Sequence, residues 1–163
     1  MKTLPTWRKL VVVTAGLAAA LAGCGPPNER PDIARSLETA VADAGDGGII
    51  DVATLVPAEW DSFFGFAGYT TDAEITAATG VDFGSSDDSK IPYDGRNLIV
   101  LVDRDRVAAW FVLNAGVPPV AVRLKSDFYG VGIPRDDAVF TAVVSGEKTV
   151  GGKDVLVLVP ATD

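Results

Sequence analysis

Apolar residues recur along this chain with three spacings, and each predicts a different kind of element. Between Asp32 and Ala44, Ile33, Leu37 and Val41 recur every four residues, with Ala34, Ala40 and Ala44 beside them. That is one apolar face of a helix. Pro31 stands at its start and Gly45 just past its end, the asymmetry that helix termini favour. From Trp60 to Phe66 the period falls to two. Trp60, Ser62, Phe64 and Phe66 share one parity, and Asp61, Phe63 and Gly65 the other. This predicts a strand with an aromatic face. Leu98 to Val102 is uniformly apolar, as in a central strand covered on both faces. After the turn Asp103-Arg104-Asp105-Arg106, Val107 to Leu113 returns as the second arm of a hairpin. Val120, Val122 and Leu124 alternate with Ala121, Arg123 and Lys125, a strand with one wet face. Val139 to Val144 and Val155 to Val159 are two more strands around a glycine-rich turn. Ile49 to Val56 is apolar without a clear period.

The polar positions supply the punctuation. Thr71-Asp72-Ala73-Glu74 fits a capping box, in which the Thr71 hydroxyl accepts from the Glu74 amide and the Glu74 carboxylate reaches back to the Thr71 amide. The short helix it opens ends at Gly80. Gly45 to Gly48, Asp82 to Lys90 and Tyr129 to Asp137 read as loops, and Pro118-Pro119 as a break. Together these predict a single α+β domain over residues 32–163. An antiparallel sheet of about five strands packs against two helices from the N-terminal half.

One apolar run does not belong to that domain. Leu10 to Leu21 follows the basic residues Lys2, Arg8 and Lys9 and is far shorter than the ~20 residues of a spanning helix. It fits the apolar core of an export signal over residues 1–23. An ordinary signal or an uncleaved anchor would look alike up to this point. The run ends in Leu21-Ala22-Gly23-Cys24, and Cys24 is the single cysteine of the chain. This tetrapeptide resembles the lipobox of bacterial lipoproteins. The resemblance implies cleavage before Cys24 and a diacylglyceryl thioether on its sulfur. It also implies an exported protein held to the membrane by lipid rather than by a helix. Residues 24–31 then read as a stalk. The seven residues from Gly25 to Pro31 in polyproline geometry would lift the domain roughly 20 Å off the bilayer.

Charge narrows the partners. The leader holds three of the 14 basic residues and none of the 22 acidic ones, which leaves 11 against 22 and a side-chain charge of −11. Phosphate backbones and anionic surfaces repel such a chain, so nucleic acid is not expected as a partner. The chain has no histidine, which removes Ser-His and Cys-His nucleophiles and histidine zinc sites. Ser145-Gly146-Glu147-Lys148 matches S-x-x-K but lies between two strands rather than at a helix start. Gly146 to Lys153 misses the phosphate-loop spacing and has Asp154 where Ser or Thr would bind magnesium. Gly130-Val131-Gly132 signals only a turn. Asp82, Asp87 and Asp88 could hold calcium weakly but lack the EF-hand spacing. Adjacent carboxylates at Asp87-Asp88 and Asp136-Asp137 read as solvated surface. No metal, cofactor or catalytic residue is expected.

Trp60-Asp61, Phe66, Tyr69-Thr70, Glu74-Ile75 form a W-D-x4-F-x2-Y-T-x3-E-I pattern. It is similar to a pattern in small secreted bacterial proteins without an assigned activity. More distantly, a Thr-capped helix followed by strands resembles the modules of small outer-membrane assembly lipoproteins and β-lactamase inhibitor proteins, which are binding modules. The favoured reading is a lipid-anchored, non-enzymatic binding module facing an envelope protein. Phe63 and Tyr69 are its aromatic anchors and Asp87 and Asp88 a charged rim. The alternative is a hydrolase working with carboxylates alone on an envelope substrate. Converging carboxylates in a concave pocket would favour the enzyme, and an accessible apolar surface the binding module.

Overall fold

The computed structural model describes residues 28–83, 96–114, 120–149 and 151–161. In chain order it contains α1 (Pro31–Ala44), β1 (Ile49–Asp51), α2 (Val52–Leu55), β2 (Ser62–Ala67), α3 (Asp72–Thr79), β3 (Asn97–Asp103), β4 (Arg106–Leu113), β5 (Ala121–Leu124), β6 (Ile133–Pro134), β7 (Val139–Lys148) and β8 (Asp154–Pro160). The strands form two four-stranded sheets, β4-β3-β2-β6 and β1-β7-β8-β5. The fold is α+β, but the expected single sheet of about five strands is instead two sheets facing each other. β1 and β6 are too short to show a period, and β5 pairs with β8 in parallel, which no local pattern marks.

The inner faces of the two sheets make the main core. Phe63, Ile99, Leu101 and Phe111 from one sheet meet Phe140, Leu156, Leu158 and Leu124 from the other. The apolar stripe of α1 joins them through Ile33, Leu37 and Val41, and α1 packs along β4, β5 and β1. The outer face of the β2–β3–β4 sheet buries a second cluster. Phe64, Phe66, Leu98, Val100 and Trp110 lie there under Ile75 of α3 and Val81. β3 is buried along its whole length, as its uniform apolarity predicts. The capping box of α3 is formed: Glu74 N donates to Thr71 Oγ1 at 3.3 Å, and Thr71 N donates to Glu74 Oε2 at 2.8 Å. Gly80 ends the helix in the left-handed conformation, its amide on Thr76 O.

Polar side chains stitch the two sheets together. Asn97, 2 % exposed, donates to Phe66 O and to Tyr129 Oη and accepts from Leu124 N at 2.9 Å. Tyr129 Oη in turn donates to Leu124 O. Gly65 is required beside this network, because a Cβ there would stand 1.9 Å from Leu124 Cδ2. At the other end of β5, Asn114 bonds both the amide and the carbonyl of Val122, and the Asn114 amide donates to Glu38 Oε1 at 2.6 Å. All of these except the Asn97–Tyr129 bond satisfy a backbone group.

Glu38 is a buried carboxylate on α1, 5 % exposed. Burial pushes its carboxyl up from the usual range, against the Asn114 amide and Arg35, which pull it down. The folded state therefore holds more protons than the unfolded one between the ordinary carboxylate value and the raised one. Stability must fall as pH rises through that window. Asp32, Asp51 and Glu74 are held low by hydrogen bonds from Arg30, Thr54 and Thr71, so they act in the opposite sense at more acid pH. Glu38→Gln keeps an acceptor for Asn114. It is expected to flatten the pH dependence of the urea midpoint in the upper window and leave the acid limb unchanged.

The stalk expectation needs correction at its C-terminal end. Asn28 to Arg30 lie on the open edge of β4. Trp110 N donates to Asn28 O at 3.0 Å, Arg30 N donates to Trp110 O at 2.8 Å, and Asn28 Nδ2 donates to Val107 O at 2.9 Å. A sheet edge offers unpaired backbone groups, and they outweigh the polyproline preference of so short a segment. Cys24 to Pro27 lie outside the described residues.

Candidate functional site

β2 ends at Ala67, and the chain turns through Gly68, Tyr69 and Thr70 into the Thr71 cap of α3. The turn is fixed on both sides. Thr70 Oγ1 donates to Ala67 O at 2.9 Å, and the capping box holds Thr71. Between them Tyr69 has φ 69° and is 62 % exposed. A left-handed backbone costs a non-glycine residue roughly 1–2 kcal/mol. An aromatic residue in that conformation with its ring outside both apolar clusters does nothing for the fold that glycine would not do better.

The other residues of the W-D-x4-F-x2-Y-T-x3-E-I pattern all have structural work. Trp60 is 2 % exposed, with the Arg135 guanidinium 5.2 Å from its ring centre. Asp61 Oδ2 accepts from Arg104 N at 2.8 Å and so holds the β3–β4 turn. Phe66 and Ile75 are buried together, and Glu74 completes the cap. Tyr69 alone among the pattern's three aromatic residues is exposed.

Phe63 is not a surface anchor. It is 0 % exposed, its ring 5.2 Å from that of Phe140 on the opposite sheet. Alternation assigns one face of a strand to water only when one face is bare, and both faces of β2 are covered. Asp87 and Asp88 lie outside the described residues, as does Cys24. Of the expected binding residues that are described, Phe63 is in the core and Tyr69 is at the surface.

Two further surfaces bear on the alternatives. A cavity of about 300 Å³ beside Asn28 is lined by Val81, Asp82, Phe83, Asp105, Arg106 and Val107. It brings two carboxylates to one concavity. A carboxylate hydrolase needs one acid held protonated beside a base. Glu38, whose carboxyl burial pushes up, is bonded to Asn114 at the far end of β4 from this cavity. Asn28, Asp105 and Arg106 were legible only as stalk and turn, since nothing local tells that the chain pairs with β4. The second surface is the outward face of the β1-β7-β8-β5 sheet. Ile49 is 60 % and Val143 41 % exposed there, and Arg123 pairs with Glu147 at 2.8 Å at its margin.

Ser145 and Lys148 of the S-x-x-K match lie in the exposed end of β7. Ser145 Oγ accepts from Glu147 N, and Lys148 pairs with Asp154, so neither is set for acyl transfer. Asp136 and Asp137 sit exposed in a tight helical turn. Among the described residues no group of three or more acidic or cysteine side chains could hold a metal ion, and no helix is long and apolar enough to cross a membrane. No protein-family model, curated protein or solved structure matches the chain.

Proposed function

We propose that the chain is a lipid-anchored binding module of the bacterial envelope, tethered through Cys24, with Tyr69 as the anchor that a protein partner grips. The observation that carries this reading is Tyr69 itself: a large ring, 62 % exposed, on a stiff corner whose backbone it strains. Rigid exposed aromatics supply contact area at little entropic cost, which is why tyrosine is over-represented among binding hot spots. The chain's net acidity favours a basic partner surface, with Asp87 and Asp88 as rim charges that set on-rate and salt dependence.

The reading separates binding from stability. Tyr69→Ala leaves the backbone strain unchanged, so the melting temperature should stay put. Loss of a hot-spot anchor should weaken partner capture by about 2 kcal/mol or more, roughly thirtyfold. Tyr69→Gly should go further, raising stability by about 1 kcal/mol through relief of the left-handed residue while still losing capture. A thermal melt and a capture titration on both variants decide it. If both variants melt early, Tyr69 is a structural residue and the proposal fails.

A further inference from the structure

Resting on the lipid anchor proposed above, we infer that the tip of the β3–β4 hairpin faces the bilayer, with the Arg104 guanidinium meeting the phosphates of anionic lipid headgroups. Glu29 bridges Trp110 in parallel, so the chain from Arg30 back to Asn28 runs towards the start of β4 at Arg106, and Asn28 Nδ2 reaches Val107 O. Gly25, Pro26 and Pro27 alone separate Cys24 from Asn28. Fully extended, that link reaches about 14 Å. The stretch of β4 from Trp110 back to Arg106 is about 13 Å long. A lipid on Cys24 is therefore attached within about 14 Å of Asn28, whose side chain bonds Val107 beside the hairpin tip.

Charge points the same way. The tip Asp103-Arg104-Asp105-Arg106 carries two acids and two bases and is neutral, in a mature chain of −11. The Asp103 side chain is 10 % exposed and is shared by Arg106 and Arg104, whereas Arg104 is 84 % exposed. An anionic surface meets no net like charge at this tip, and a cation stands foremost there. The tip is also stiff. Arg104 has φ 57°, and its amide is held by Asp61.

The opposite end of the same sheet carries Tyr69. Ser62 of β2 pairs with Val102 beside the tip, and Ala67 pairs with Asn97 five positions further on. That is roughly 17 Å along the strand, with Tyr69 beyond it. The tether and the binding corner thus occupy opposite ends of β2, and docking the tip on the membrane presents Tyr69 outward.

Hydrogen exchange on the lipidated protein in vesicles of phosphatidylethanolamine and phosphatidylglycerol tests this, with the Cys24→Ser protein and the same vesicles as reference. Slowed exchange is expected over residues 104–107 and none over 69–74. Arg104→Glu, a change at an exposed side chain, should reduce that protection about fivefold. Protection of 69–74, no protection at the tip, or indifference to Arg104→Glu would overturn the orientation. Intact mass reports the lipid separately. If Cys24 carries none, the anchor reading fails, and the same exchange measurement on protein joined through its Cys24 thiol to a maleimide phospholipid still decides which end faces the bilayer.

Discussion

Phe63→Ala is expected to lower the unfolding free energy by about 3–5 kcal/mol. The ring is sealed between the two sheets against Phe140, where the two layers would have to close around the void. Partial collapse is limited because Gly65, two residues on, already lies against the Leu124 side chain. The midpoint in urea should fall at constant slope, since the unfolded chain exposes nearly the same surface. A shift worth less than about 1 kcal/mol, the scale of an ordinary surface change, would contradict the packing described for β2. The same variant should retain partner capture wherever it remains folded, because the residue has no exposed surface.

Cys24→Ser has the largest expected effect on localisation. The lipid requires a thiol, and the chain has no other cysteine. Incorporation of labelled palmitate should drop to background, and the product should accumulate unprocessed or leave the membrane fraction. A single acyl chain holds a protein only marginally, so partial lipidation would show as partial release. Labelling of the variant equal to that of the parent chain would remove the tether from the account.

The elements that were legible in the sequence are those with local causes. The Ile33-Leu37-Val41 stripe between Pro31 and Gly45 reappears as α1. The Thr71–Glu74 box reappears as the cap of α3, and the apolar arms around Arg104-Asp105 as the β3–β4 hairpin. What was not legible depends on partners distant in sequence. The pairing of Asn28 with Val107 spans 79 positions, and the parallel register of β5 on β8 leaves no periodic trace. Phe63 was misplaced because alternation was applied to a strand with two buried faces. Asn97 was overlooked, although a lone amide opening a uniformly apolar run is a signal that a buried polar network needs it. Tyr69 was legible as exposed from its place between a strand and a cap. Its left-handed backbone was not, since tyrosine does not mark that conformation as glycine or asparagine does.

The central claim, that Tyr69 holds a partner at the outward end of a tethered domain, is tested most directly by photocrosslinking in cells. A photoreactive residue at Ala73, exposed in the first turn of α3, leaves Tyr69 intact beside it. One at Asp105 samples the hairpin tip. The account predicts a discrete protein adduct from position 73, lost when Tyr69→Ala is added, and no such adduct from position 105. An adduct at 73 that persists in the Tyr69→Ala background, or the same protein captured from 105 instead, would contradict it.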